Sequence, residues 1–142
     1  MLRNIPPVIS PCLMKIIMEM GHNDYIVLAD ANYPAVAGAQ RLVRLDGVPV
    51  DTLLDALLQF FPLDNFVTNP VTLMKPRPDE PTPEIWSNFE RILKERDFCK
   101  AFKEFHLIER FDFYDYAKKA YAIVQTGTTA RYANIGIQKG VI

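Results

Sequence analysis

Gly21-His22-Asn23-Asp24-Tyr25-Ile26-Val27-Leu28-Ala29-Asp30 is a polar corner that runs into five nearly all-apolar residues and stops at a carboxylate. So short an apolar run has no helical stripe and no alternation. It reads as a strand, Tyr25 to Ala29, buried on both faces of a sheet. A sheet buried on both faces needs covering elements above and below it, so this stretch already points to an α/β fold. The residues before it agree. Ser10 is a good N-cap, Pro11 suits the first helical position, and Leu13, Ile16, Ile17 and Met20 share one face of a helix from Pro11 to about Met20, with Gly21 as its stop.

Working outward, Pro34 and Gly38 mark a loop, and Arg41 to Leu45 alternates as a strand before the Asp46-Gly47 turn. Asp51 is placed to cap a helix whose buried stripe is Leu53, Leu54, Leu57 and Leu58 and which ends before Pro62. Pro70 to Met74 reads as a strand, and Lys75 to Thr82, with Pro76, Pro78 and Pro81, as a surface loop. Thr82 and Pro83 start a helix through Ile85, Trp86, Phe89, Ile92 and Leu93. The last third reads as a strand His106 to Arg110, a helix Phe111 to Lys119 and a buried strand Tyr121 to Gln125 ending at Thr126-Gly127. A polar loop, Thr128 to Asn134, then leads to a final strand, Ile135 to Gln138. Helices alternating with short apolar strands predict one three-layer α/β domain over residues 1–142, a mostly parallel sheet with helices on both faces. Ligands of such sheets collect beyond the carboxyl ends of strands. Two of those ends carry polar clusters, Asp30-Ala31-Asn32 and Thr126 through Asn134.

Composition narrows the function. The 142 residues are 49% apolar and 23% charged with net charge −1, so there is no basic field for nucleic acid and no acidic tail. No apolar run approaches the ~20 residues that cross a bilayer, and Met1 to Pro7 does not read as a secretory signal. Cys12 and Cys99 read as reduced thiols, which fits a cytoplasmic protein. The six glycines form neither a phosphate loop nor a dinucleotide fingerprint, and no serine sits in a nucleophile elbow. His22, Asp24 and Asp30 are conceivable metal ligands, but their spacing matches no standard motif and His106 is the only other imidazole. The expectation is that no metal or cofactor is needed.

Each remaining polar residue has two readings. His22 can cap the preceding helix, a cation near a helix C-terminus being favourable by ~0.3–1 kcal/mol, or it can transfer protons. Asp30 can cap the turn that follows it or hold a ligand. Tyr132-Ala133-Asn134 and Arg110-Phe111-Asp112-Phe113-Tyr114 mix aromatic, amide and cationic groups, a mixture that suits sugars. Phe113 and Tyr114, at helical spacing, also fit a core. Phe98, Phe102, Phe105 and Tyr116 are candidates for an apolar interface.

Taken together, several stretches give the chain a family resemblance: Leu2-Arg3-Asn4-Ile5-Pro6, Gly21-His22-Asn23-Asp24, Val27 through Pro34, Arg44-Leu45-Asp46-Gly47, Glu109 through Tyr114, Tyr132-Ala133-Asn134-Ile135 and Lys139-Gly140-Val141. In that order, over essentially the whole chain, they resemble the RbsD/FucU family of fucose mutarotases and ribose pyranases, and look closer to the fucose branch. The resemblance implies that His22 is the proton-transferring residue and that Asp30, Arg110, Tyr132, Ala133 and Asn134 bind a monosaccharide without a cofactor. It also implies homo-oligomeric rings, commonly decamers, with the sugar site where subunits meet. Asn23, Tyr25 and Ala133 depart from the fucose-branch pattern. Three functions stay open: an anomer-exchanging mutarotase, a pyranase that interconverts ring sizes of ribose, and a non-catalytic sugar-binding module.

Overall fold

In the computed structural model, which describes residues 1–142, the chain runs α1 (Pro11–Glu19), β1 (Tyr25–Ala29), α2 (Ala35–Gly38), β2 (Leu42–Leu45), α3 (Val50–Leu57), β3 (Val71–Met74), α4 (Ile85–Arg96), β4 (His106–Ile108), α5 (Arg110–Lys119), β5 (Ala122–Thr126) and β6 (Ile135–Gln138). The strands form one six-stranded sheet in the order β2-β5-β1-β6-β3-β4. The pairs β1–β5, β2–β5 and β3–β4 are parallel, and β6 runs antiparallel to both of its neighbours. The mostly parallel sheet is thus interrupted at its centre by a single reversed strand.

Strand alternation divides the core in two. Ile26 and Leu28 of β1, Ala122 and Val124 of β5, and Ile135 and Ile137 of β6 join α1, α3 and α4 in a large apolar cluster. Val27, Ala29 and Ile123 point the other way, onto Ala35 of α2 and Phe113 and Ala117 of α5. Helices therefore cover both faces, and β1 is buried from Ile26 to Ala29 as its composition requires.

Several local boundaries differ from the sequence reading, each for a physical reason. Ser10 caps α1 as expected, accepting from the Leu13 N–H at 3.2 Å. The helix stops at Glu19 because Met20 is already extended (φ −66°, ψ 131°), and the left-handed residue of the corner is Asn23 (φ 74°) rather than Gly21. Pro49, not Asp51, precedes α3; Asp51 lies inside the first turn, where it favours the helix dipole. Four residues of the expected loop after Pro34 form the short helix α2, and α5 begins at Arg110, where β4 was expected to end. Of the four aromatics expected at an interface, Phe98 is exposed, whereas Phe102 and Phe105 pack partly against the large cluster. Tyr116 lies under the sheet. Both thiols are free.

β6 can sit at the centre only because Gly136 carries no side chain. A Cβ there would stand 2.6 Å from Tyr116 Cε1, and that ring is itself stacked on Tyr25 with centroids 4.3 Å apart. Replacing Gly136 by Ala must push β6 or the stacked pair aside. It should lower unfolding free energy by about 1–3 kcal/mol, the usual cost of overpacking. Urea denaturation of Gly136→Ala measures this, and an unchanged midpoint would show that the ring moves freely.

Candidate active site

Because β6 is reversed, its first residue lies beside the carboxyl ends of β1 and β3, with Ile135 opposite Leu28 in register. Asn134 is thereby set against Asp30, and the two lock reciprocally. The Asp30 N–H donates to Asn134 Oδ1 at 2.8 Å, and Asn134 Nδ2 donates back to Asp30 Oδ2 at 2.8 Å. The other carboxylate oxygen accepts from the Asn32 N–H at 2.9 Å, so Asp30 also caps the turn that follows it. Gln125 Nε2 donates to the Asp30 carbonyl at 2.6 Å, and the Thr126 hydroxyl to that of Ala29 at 2.8 Å. Burial pushes the Asp30 carboxyl above its ordinary pKa, and the donors from Asn32, Asn134 and Tyr33 oppose that rise.

Asp30 and Asn134 open onto a cavity of ≈ 370 Å³ that Arg110 and Tyr132 also line. Arg110 begins α5 and has no ion-pair partner; its guanidinium rests 4.9 Å from the centre of the exposed Phe111 ring. Tyr132 holds a left-handed backbone (φ 57°), which costs a non-glycine residue about 1–2 kcal/mol. Trp86 Nε1–H fixes it by donating to the Tyr132 carbonyl at 3.0 Å. Ala133 is fully buried among the large apolar cluster, so its side chain faces the core rather than the cavity. Phe113 is core, whereas Tyr114 belongs to the cavity wall. Arg77 and Glu80, which the sequence reading passed over as part of a proline-rich loop, line it too.

His22 is elsewhere. It precedes β1, whereas Asp30 follows it, and the strand separates its two ends by roughly 15–20 Å. Within one chain His22 shares no cavity with Asp30, Arg110, Tyr132 or Asn134. Its side chain makes no hydrogen bond to the carbonyls that end α1, which stops at Glu19. Instead Nε2 lies 3.2 Å from Asp64 Oδ2, a carboxylate whose side chain is 1% exposed. Asp64 also accepts from the Phe66 N–H at 2.9 Å and from Gln138 Nε2 at 3.1 Å. Gln138 bridges onward to Asn23 Oδ1 at 2.7 Å. Asp64 is the main residue the sequence reading missed. The available signal was a carboxylate set in the apolar run Phe61-Pro62-Leu63, a position where a lone charge needs partners. No three His, Cys, Asp or Glu side chains converge to hold a metal ion.

Comparison with known proteins fits this geometry. Residues 3–142 match the model of the RbsD / FucU transport protein family. The chain belongs to the RbsD/FucU family. Human fucose mutarotase is 40% identical, covering 99% of this chain and 94% of its own. L-fucose mutarotase of Actinobacillus pleuropneumoniae is 42% identical, covering 99% and 97%. The crystal structure of the fucose mutarotase of Streptococcus pneumoniae in complex with L-fucose superposes with TM-score 0.93 at 44% identity, over 99% of both chains. In this RbsD/FucU chain Asn134 both lines the cavity and bonds the buried Asp30.

Asn134→Ala should cost about 1–3 kcal/mol, because it strips partners from a buried N–H and a buried carboxylate. The sign of its pH dependence follows from Asp30. Without the Asn134 donor the folded pKa of Asp30, already raised, rises further. Below the unfolded value Asp30 is protonated in both states and only the N–H partner is missing; as pH rises through the folded value, the loss grows. Urea melts in acid and at neutrality should show the larger deficit at neutrality, and equal deficits would mean that Asn134 does not serve the charged form.

Proposed function

We propose that this chain is an L-fucose mutarotase, an isomerase that interconverts the α and β anomers by acid–base catalysis and needs no cofactor. Named relatives at about 40% identity over nearly the whole chain support the activity. The fucose-bound neighbour supports a monosaccharide as the ligand. The observation that carries the mechanism is the imidazole–carboxylate pair of His22 and Asp64 at one end of β1, against a polar cavity without such a pair at the other.

Opening a pyranose requires a proton delivered to the ring oxygen and another removed from the anomeric hydroxyl. Rotation about one bond and closure on the other face reverse both steps. No nucleophile or redox group enters. Imidazole suits the work because it gives and takes protons near neutrality. The Asp64 carboxylate stands 3.2 Å from His22 Nε2 and holds the ring at the corner by charge, and Nδ1 is the nitrogen that does not face it. Asp30 and Asn134 hold sugar hydroxyls, the carboxylate supplying acceptors and the amide both a donor and an acceptor. Arg110 supplies further donors, and Tyr114 and Tyr132 supply aromatic surface for the C–H faces. Such positioned acid–base help is worth roughly 10²–10⁴-fold, enough to matter for a reaction that already proceeds slowly in water.

For a sugar in the cavity to reach an imidazole, His22 must come from another copy of the chain. A head-to-tail contact joining unlike ends of two subunits builds a ring when the rotation between neighbours closes, and a ring leaves no site unpaired. Exposed phenylalanines flank both ends, Phe66 beside His22 with ring centroids 5.5 Å apart and Phe111 beside Arg110. The proposed enzyme is a homo-oligomeric ring, acting in the cytoplasm on free monosaccharide. No helix is long and apolar enough to cross a membrane.

Saturation-transfer NMR of the anomeric protons of L-fucose tests the reading. His22→Ala should reduce enzyme-catalysed exchange by at least about 10²-fold. Its circular dichroism should be unchanged, since the side chain lies at a half-exposed corner. Exchange at the wild-type rate in that variant would remove His22 from the mechanism.

A further inference from the structure

Glu80 lies in the proline-rich loop between β3 and α4, with its side chain 22% exposed, and its carboxylate both closes that loop and ties it to the segment that carries Tyr132. Oε1 pairs with Arg131 Nη1 at 3.0 Å. Oε2 accepts from the Arg77 N–H at 3.3 Å and from the Tyr132 hydroxyl. Tyr132 has one hydroxyl proton, and Glu80 holds it.

We propose that Glu80 is a positioning residue that sets the polarity of the sugar site: by taking the Tyr132 proton, it leaves the phenol oxygen able only to accept from the sugar. An ionised carboxylate is acceptor-only, so the direction of the bond is not free to reverse. The Tyr132 hydrogen bond is also the main reason that Glu80 is held below the usual carboxylate range and that the phenol of Tyr132 is raised. The left-handed backbone of Tyr132 is thus pinned at both ends, its carbonyl by Trp86 and its hydroxyl by Glu80. A ligand hydroxyl facing that oxygen must donate. A group that only accepts is refused there, as is a hydrogen. The device rests on Tyr132 binding the sugar, as in the function proposed above.

The test is L-fucose mutarotation kinetics for Glu80→Ala, Glu80→Gln, Tyr132→Phe and the Glu80→Ala/Tyr132→Phe double variant. Competition by monodeoxy and monodeoxyfluoro fucoses on the wild type completes it. Glu80→Ala should raise KM about tenfold with kcat within about twofold, and Glu80→Gln, whose amide oxygen still accepts, should return KM to within about threefold. The double variant should be no worse than Tyr132→Phe alone, since both changes remove one interaction. At one ring position fluorine, which accepts but cannot donate, should bind no better than hydrogen, and that penalty should vanish in Tyr132→Phe. A wild-type KM in Glu80→Ala, additive losses in the double variant, or a Gln variant as poor as Ala would each overturn the proposal, provided that Tyr132→Phe is impaired. Fluorine that restores fucose-like binding at every position would overturn it without any variant. If Tyr132→Phe itself keeps the wild-type KM, the sugar-site reading has failed and the proposal falls with it.

Discussion

The reversed strand β6 is the constraint on which the rest of this molecule depends. Inserted between β1 and β3, it runs against both, so its two ends serve opposite ends of the sheet. At its start, Asn134 meets Asp30 in a reciprocal, buried pair of hydrogen bonds. At its finish, Gln138 holds Asp64 and Asn23 and so frames the corner that carries His22. A parallel strand in the same place would send its start to the His22 end and leave Asp30 without its partner. The requirement for Gly136 under the Tyr25–Tyr116 stack is the cost of admitting that strand to the centre.

The same strand explains why one chain is not a whole catalyst in this account. The sheet is rigid, and the two functional ends are fixed on either side of it. No plausible loop movement brings His22 to Asp30, because β1 itself lies between them and its residues from Ile26 to Ala29 are fully buried. The proposed chemistry then requires two copies meeting end to end. That arrangement has a physical advantage, because a partner that closes an open cavity removes water and strengthens each hydrogen bond made inside it.

The strands were legible because their burial is written into composition. Tyr25 to Ala29 is a short apolar run that suits a doubly covered sheet, and Tyr121 to Val124 opens the second such strand, observed as Ala122–Thr126. The helices were legible from apolar spacing, except α2, whose four residues are too few to show a period. The order and direction of strands were not legible, since a strand reads the same in either direction. The strand read at Tyr25 to Ala29 already put His22 and Asp30, eight residues apart, at opposite ends of β1; what direction hid was that the reversed β6 brings Asn134 to the Asp30 end. Asp30, Arg110, Tyr132 and Asn134 were found as a group and do share a cavity. Ala133 was grouped with them but turns its methyl into the core, directly after the left-handed turn at Tyr132. Asp64 and Glu80 escaped because a lone acidic residue in a loop looks solvated until the fold supplies its partners.

The central claim is that catalysis needs two subunits, one giving His22 and the other the cavity. Subunit mixing tests it most directly. Inactive His22→Ala and inactive Asn134→Ala chains are dissociated, combined and reassembled, with mixed rings verified by mass spectrometry, and L-fucose anomer exchange is measured. The account predicts partial recovery of activity, because some interfaces in a mixed ring pair an intact His22 with an intact Asn134. Mixed rings that remain inactive would place the whole site within one chain and contradict it.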